Sequence, residues 1–264
     1  MAILRGIGMA AAVLIIIFIG LSVIAGLKKG ASVYDDQPEE KNPNAGPSDL
    51  NRRGGIYERI IKGVIDRLLA FFGLVILSPV YIVISLAVYM DDPGPVLFTQ
   101  KRVGKNKEYF KLHKFRSMKM STPHDTPTHL LENSEQYITR VGKFLRKSSL
   151  DELPQIWDIF IGNMSIIGPR PALWNQDDLI AERDKHGAND IKPGLSGWAQ
   201  INGRDELAIA VKAGFDGEYV EKESFIFDVR CFLGTIRSVL RRDGVMEGGT
   251  GEMRKNEEKV GSGK

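Results

Sequence analysis

The sequence predicts a mostly helical α/β domain held at a membrane. Three observations predict this fold class. Two apolar segments, residues 9–27 and 68–90, have the length of membrane helices. Residues 224–242 repeat apolar side chains at helical spacing, and strand-like patterns are confined to residues 96–100 and 109–120. We expect an anchor at 1–30, a flexible linker at 31–55, the domain at 56–247 and a flexible tail at 248–264.

The first apolar segment, residues 9–27, contains no charge and is followed by Lys28 and Lys29. The excess of positive charge after the segment places its C-terminal side in the cytoplasm. A cleaved signal peptide is the alternative, but residues 23–25 fit a cleavage site poorly. We therefore expect an uncleaved transmembrane helix.

The second segment has Ser78 and Pro79 at its middle and basic residues on both flanks, such as Arg67 and Lys101. Proline removes a helix hydrogen bond, and positive charge on both sides favours both ends on the same face of the membrane. We expect a re-entrant helix over residues 60–90 that breaks at Ser78 and Pro79, with the serine hydroxyl satisfying freed backbone groups. A kinked spanning helix is the alternative.

The net charge of +3 does not indicate a general binder of polyanions. Residues 99–119 nevertheless form a local basic stretch, with Glu108 as the single acid. Such a field attracts phosphate, acidic lipid or nucleic acid, although a solvated surface is the simpler reading. One cysteine excludes an intramolecular disulfide, and the spacing of the four histidines does not indicate zinc.

Residues 146–155 place Asp151 and Glu152 behind Arg146 and before Pro154. Neighbouring helical residues do not share a face, so the two carboxylates must serve different partners. Asp151 suits a helix N-cap, with Pro154 in the first turn. Capping and catalysis both remain open from these residues alone.

Further helices are expected at residues 138–147, 153–161 and 175–186, with Trp157 in the core. The motif Gly168-Pro-Arg-Pro171 predicts a stiff loop that presents Arg170 to a phosphate, or a plain turn. Residues 193–204 form a glycine-rich loop that ends at Arg204, and its glycines would let the backbone approach a ligand closely. Residues 224–242 predict a basic amphipathic helix, which suits either a membrane surface or packing against the domain.

These motifs occur together in one family order. The motifs are Ser78-Pro79, residues 94–104, Lys114-Phe-Arg-Ser-Met118, Ser149-Leu-Asp-Glu-Leu-Pro-Gln155, Gly168-Pro-Arg-Pro171 and residues 193–204. With these motifs in this order, the chain resembles the bacterial sugar transferases. These are monotopic phosphoglycosyl transferases that begin glycan assembly on polyprenol phosphate. The resemblance covers roughly residues 57–247, and the anchor at 9–27 lies outside the minimal family core.

The resemblance implies that Asp151 attacks the β-phosphate of a UDP-sugar and contacts Mg²⁺, while Glu152 assists metal binding or proton handling. It implies phosphate binding by Lys114, Arg146, Arg170 and Arg204, and a uridine-side loop that includes Pro169 and Pro171. Asp228 matches a further acidic position whose role it leaves unassigned.

The resemblance also implies UDP-sugar, undecaprenyl phosphate and membrane lipids as partners, without nucleic acid, and it leaves a homo-oligomer open. It places the active site on the cytoplasmic face of the bacterial inner membrane. Residues 242–248 are similar to members that use UDP-N-acetylated sugars. A metal-dependent glycosyltransferase that releases UDP and a non-catalytic protein that binds anionic lipid are the alternatives.

Overall fold

The structure is a computed structural model that describes residues 41–50, 54–122, 134–203 and 207–241. The predicted anchor at 9–27, most of the linker, the tail and Arg204 lie outside the described residues. The fold is mostly helical with two small sheets, as predicted.

Seven helices and four strands follow one another along the described chain. They are α1 (Lys62–Asp91), β1 (Leu97–Val103), β2 (Tyr109–Phe115), α2 (Arg140–Ser148), α3 (Gln155–Ile161), β3 (Ser165–Ile167), α4 (Asp177–Asp184), β4 (Gly194–Ser196), α5 (Trp198–Ile201), α6 (Ile209–Lys222) and α7 (Phe225–Arg241). Strands β1 and β2 form an antiparallel hairpin, and β3 pairs with β4 in parallel. The helices predicted before and after Asp151, near residue 180 and near residue 230 are all present.

Helix α1 follows a π-helical turn at Tyr57–Ile61 and runs without interruption across Ser78 and Pro79. The structure therefore shows no loss of helical structure at the predicted break, and a change of helix direction at Ser78 and Pro79 stays a prediction. The predicted role of the serine is confirmed, because Ser78 Oγ donates to the Val75 carbonyl at 2.8 Å. Pro79 has no N–H for that carbonyl, so the hydroxyl takes the place of the missing backbone donor.

One side of α1 is buried against the domain along its whole length. The buried positions lie three or four residues apart and are Lys62, Asp66, Ala70, Leu74, Ser78, Tyr81, Ile84 and Val88. The first turn contacts α7 through the ion pair of Lys62 with Asp228, and the last residue accepts a hydrogen bond from the Val141 amide of α2 at 2.8 Å. Both ends of α1 are therefore held by the same domain.

The other side of α1 exposes large apolar side chains, among them Phe72, Ile76, Val83 and Met90. The segment Tyr57–Asp91 is long and apolar enough to cross a membrane. Its exposed apolar side needs a cover other than water, because contiguous apolar surface of this kind is rare on soluble monomers.

Helix α7 buries only part of its apolar surface against the domain. Its buried positions are Phe227, Asp228 and Cys231, whereas Phe232 and Leu233, predicted for the apolar side, are half exposed. Thus α7 packs on the domain through one narrow side and leaves a second apolar side uncovered. Arg230 lies over the rings of Trp198 and Phe227 at 5.0 and 6.0 Å.

Part of the region predicted to be a flexible linker is bound to the domain. The Gly46 amide donates to the Asn106 carbonyl at 2.7 Å, and the Ser48 amide donates to Asp190 Oδ1 at 2.7 Å. Asn42 donates its side-chain amide to the Lys107 carbonyl. Ser48 is buried as a result, so residues 42–48 form a docked segment.

Candidate active site

Asp151 and Glu152 lie in a tight turn between helices α2 and α3. Helix α2 ends at Ser149, which takes a left-handed conformation with φ of 56°, and Leu150–Glu152 then form a 3₁₀ turn. Pro154 occupies the N-cap position of α3. The predicted N-cap role of Asp151 is therefore wrong, because the separate 3₁₀ turn places the aspartate one turn before the helix. Its carboxyl group is free for another purpose.

Glu152 is the centre of a buried ion cluster. Its Oε1 accepts from Lys114 Nζ at 2.7 Å and from Arg170 Nη2 at 2.6 Å, and its Oε2 lies 3.4 Å from Arg170 Nη1. Burial alone would raise the pKa of Glu152, but the two cations outweigh it and hold that pKa well below the usual range. Glu152 is ionised at neutral pH and is a poor carrier of protons.

Asp151 has a different environment although it is the neighbouring residue. It is 9% exposed, and it forms a long ion pair with Lys114, whose Nζ lies 3.9 Å from Oδ2. Burial of the carboxyl group raises the pKa of Asp151, and Glu152 adds to this effect, while Lys114, Arg146 and Arg170 oppose it. The turn therefore holds one fully paired carboxylate and one that is only weakly compensated.

A strand and a loop bring the two cations to this turn. Lys114 comes from strand β2. Arg170 comes from the loop after β3, where Gly168 lies so close to Gly194 and Gly197 that an added Cβ on any of the three would meet backbone atoms at 2.1–2.5 Å. These glycines allow backbone to approach backbone, whereas the sequence suggested approach to a ligand. Their packing fixes the position of the Pro169–Pro171 loop relative to the loop at residues 193–197.

The other predicted site residues lie in different surroundings. Arg146 donates from Nε to Ser117 Oγ at 2.9 Å, and it influences Asp151 through its charge. Arg204 lies outside the described residues. Asp228 makes no contact with the cluster; it binds Lys62, Tyr57 Oη at 2.7 Å and Tyr219 Oη at 2.6 Å. Asp228 thus joins α7 to α6 and to the start of α1.

Much of the basic stretch at residues 99–119 is engaged within the domain. Lys107 pairs with Asp184 at 2.9 Å, Arg116 pairs with Asp92 at 3.4 Å, and Lys114 pairs with Glu152. Lys101 lies over the rings of Tyr109 and Trp174. The stretch therefore builds the domain more than it presents free charge, which differs from the expected field for phosphate or lipid.

The buried carboxylates of Asp216 and Asp158 make contacts that were not predicted from the sequence. Arg183 of α4 binds Asp216 of α6, with Nε and Nη2 2.8 and 2.6 Å from Oδ2. Asp158 of α3 accepts from the His113 backbone amide at 3.0 Å, and its Oδ1 lies 2.7 Å from His113 Nδ1. This second contact buries Asp158 beside Ile159. The predicted core residue Trp157 is half buried and packs against the hydrophobic core, whereas Ile161 is 43% exposed.

Of the two carboxylates at the site, only Asp151 is available as a ligand for Mg²⁺. Within the described ranges, no group of three His, Cys, Asp or Glu side chains is placed to hold a metal ion. Glu152 is bound to two cations, which leaves Asp151 as the available carboxylate. Mg²⁺ commonly binds one or two carboxylates together with water and substrate phosphates, so Asp151 fits as a ligand beside a bound diphosphate.

Comparison with known proteins decides the family. A model of the bacterial sugar transferase family matches residues 57–242. This chain belongs to the bacterial sugar transferases. The match includes every described residue of the cluster and the whole of α1 and α7, while the docked segment at 42–48 precedes it.

Named relatives of this sugar transferase come from several bacteria. A UDP-glucose:undecaprenyl-phosphate glucose-1-phosphate transferase of Xanthomonas campestris pv. campestris is 37% identical over 72% of this chain and 41% of its own length. A UDP-N-acetylgalactosamine-undecaprenyl-phosphate N-acetylgalactosaminephosphotransferase of Aeromonas hydrophila is 34% identical over 70% and 44%. The uncharacterised sugar transferase EpsL of Bacillus subtilis (strain 168) is 35% identical over 71% and 91%. The chain thus spans less than half of the two relatives with named substrates.

Proposed function

We propose that this sugar transferase moves a sugar-1-phosphate from a UDP-sugar to undecaprenyl phosphate and releases UMP. The observation that carries the proposal is the contrast between Asp151 and Glu152. A buried, weakly compensated carboxylate lies next to an ion cluster that holds two cations, Lys114 and Arg170, in fixed places. A nucleophile beside preorganised cations is what attack on an anionic diphosphate requires.

The reaction proceeds in two displacements. An Asp151 carboxylate oxygen attacks the β-phosphorus of the UDP-sugar, the bond from that phosphorus to the oxygen bridging the phosphates breaks, and UMP leaves with the bridging oxygen. A phosphate oxygen of the polyprenol then attacks the same phosphorus. The acyl-phosphate bond breaks, the Asp151 carboxylate is restored, and the product is a polyprenyl diphosphate sugar. No net proton is required from Glu152 in either displacement.

In this scheme Glu152 organises cations and does not transfer protons. Its charge keeps Lys114 and Arg170 2.6–2.7 Å from Oε1, close to the turn where the phosphates would lie. Arg146 and Arg204 are proposed as further phosphate ligands, and the loop with Pro169 and Pro171 as the uridine side. Mg²⁺, held by Asp151 and the diphosphate oxygens, would neutralise negative charge on the phosphates.

A cytoplasmic site at the inner membrane surface follows from the acceptor, whose phosphate lies among the headgroups while its tail lies in lipid. We propose that α1 enters and leaves on the cytoplasmic side and that the exposed apolar sides of α1 and α7 contact lipid. Attachment of both ends of α1 to one domain supports this topology. In a Cys231→Ser background, cysteines placed at the exposed positions Gly55 and Glu108 should both react from the cytoplasmic side only. Periplasmic labelling of either position would indicate a spanning helix.

The sugar is proposed to be N-acetylated. The relatives named above include one for glucose and one for N-acetylgalactosamine, so family membership alone leaves the choice between them open. A screen of UDP-sugars with undecaprenyl phosphate, scored by UMP formation, tests the proposal directly.

The identity of the released nucleotide tests the reaction class. The purified chain in detergent, with UDP-sugar, undecaprenyl phosphate and Mg²⁺, should form UMP, and chelation of Mg²⁺ should abolish the product. Release of UDP would instead indicate an ordinary glycosyltransferase. Absence of any nucleotide product across the sugar panel, with lipid binding unchanged in Asp151→Asn, would indicate a non-catalytic lipid-binding protein.

A further inference from the structure

The loop that carries Arg170 is held almost entirely through its carbonyl groups. Pro169 and Pro171 have no N–H, so neither can be anchored by donation. Instead, three consecutive carbonyls each accept a hydrogen bond from a different part of the domain. The Pro169 carbonyl accepts from the Gly194 amide at 2.8 Å, the Arg170 carbonyl from Arg183 Nη1 at 3.0 Å, and the Pro171 carbonyl from Arg102 Nη1 at 3.0 Å.

Arg183 is the more deeply buried of the two arginine side chains that donate to this loop. It is 3% exposed. Its Nε donates to Oδ2 of Asp216, which is 1% exposed, and its Nη2 forms an ion-pair contact with the same oxygen. Arg183 spans from helix α4 to the loop, while Asp216 reaches it from α6. A buried charge pair of this kind is a costly means of stabilisation, and a well-packed apolar pair would often serve as well. The remaining Nη1 group donates to the Arg170 carbonyl, so the pair also fixes the position of the loop backbone.

We infer that Arg183, held by Asp216, is a positioning residue that sets Arg170 against Glu152. The inference rests on the proposed function. The backbone of residue 170 is fixed from one side by Arg183, and its guanidinium is fixed from the other side by Glu152 at 2.6 Å. Arg183 therefore acts on the reaction through Arg170 and does not touch the substrate.

The planar fork of arginine is required for this arrangement. One guanidinium reaches both an Asp216 carboxylate oxygen and the Arg170 carbonyl. A lysine ammonium at position 183 can pair with the Asp216 charge but cannot also donate to the Arg170 carbonyl. Loss of the second bond would let the Arg170 loop shift. Misplacement of a binding group by about 1 Å can lower a rate by about 100-fold.

A kinetic double-mutant cycle tests the inference. Arg183→Lys should lower kcat/KM for UMP formation by about 10- to 100-fold, with Asp184→Asn on the same helix as the matched control that stays within about threefold of wild type. In the Arg170→Ala background, Arg183→Lys should have no further effect beyond about threefold, because the group that it positions is gone. Independent, multiplicative losses would overturn the inference.

A second pair of substitutions covers the case in which Arg183→Lys does not fold. Arg183→Leu combined with Asp216→Leu removes both buried charges and fills the space with apolar side chains. This variant should melt near the wild-type temperature and still lose activity through Arg170; full activity in it would equally overturn the inference. A wild-type chain that forms no UMP would instead refute the proposed function, so the two failures are distinguishable.

Discussion

Arg170 Nη2 lies 2.6 Å from Glu152 Oε1, and this ion pair joins the loop after β3 to the turn between α2 and α3. Lys114 binds the same oxygen from strand β2 at 2.7 Å. Three segments that are distant along the chain therefore meet at one carboxylate. Their common contact explains why a glutamate stands beside the proposed nucleophile.

Glu152→Gln should lower kcat for UMP formation by about 100-fold, because the amide cannot hold both cations in place. The measurement is steady-state kinetics with the melting temperature recorded in parallel. Glu182→Gln is a suitable control, since Glu182 forms an i,i+3 pair with the largely exposed Lys185. A Glu152 variant with wild-type kcat would show that the cluster is not part of the catalytic machinery.

Asp151→Asn should stabilise the fold at neutral pH while it abolishes turnover. Burial raises the pKa of Asp151, so the folded state holds its proton more tightly than the unfolded state, and ionisation costs stability as pH rises through the unfolded and then the folded pKa. The substitution removes this cost, by about 1 kcal/mol at pH 7.5. At about pH 2.5, well below the unfolded pKa of about 3.9, the carboxyl group is protonated in both states and the gain should vanish. Thermal unfolding at both pH values, with Glu135→Gln as an exposed control, would contradict this account if the gain were independent of pH.

Asp228→Asn should destabilise the protein by about 3–5 kcal/mol, because it leaves the buried Lys62 ammonium without its partner. Chemical denaturation in detergent measures the loss. Replacement of both residues, Lys62→Met with Asp228→Leu, should recover most of it. Equal losses in the single and double variants would mean that the charges themselves are not the cause. Lys185→Ala provides the surface control, with an expected change under about 1 kcal/mol.

Ser78→Ala should destabilise α1 by about 1 kcal/mol, because the Val75 carbonyl then has no donor. In Ser78→Ala combined with Pro79→Ala, the new amide at position 79 supplies the missing hydrogen bond. Thermal unfolding should therefore show a cost of the serine substitution only when Pro79 is present. The same cost in both backgrounds would show that the Ser78 hydroxyl does not replace the N–H that Pro79 lacks.

Sequence reasoning selected charged residues in distinctive motifs that lie together in the structure, while their roles in the reaction stay predictions. Lys114, Glu152 and Arg170 were predicted as site residues and meet in one cluster. It failed for Arg183 and Asp216, since both lie in helices with many polar residues and nothing in their spacing separates a buried charge from a solvated one. The glycines at 168, 194 and 197 were a usable signal for close contact between two loops, although those at 194 and 197 were interpreted as ligand contacts.

Two local errors have physical causes that spacing does not reveal. The pattern Asp-Glu-Leu-Pro fits an N-cap, but the left-handed Ser149 inserts a separate 3₁₀ turn, and Pro154 then takes the cap position. The burial of Asp158 was missed because it depends on bonds to His113, which lies in strand β2 and is distant along the chain. In this second case a tertiary contact outweighs a local preference.

The most direct test of the central claim is a rapid-quench measurement of UMP from the UDP-sugar in the absence of undecaprenyl phosphate. If Asp151 forms a phosphosugar intermediate, the wild-type chain should release a burst of about one UMP per enzyme and then stop until acceptor is added, as ping-pong catalysis requires. Asp151→Asn should give no burst. UMP release that begins only when the acceptor is present, or a full burst from the Asp151→Asn variant, would contradict the account.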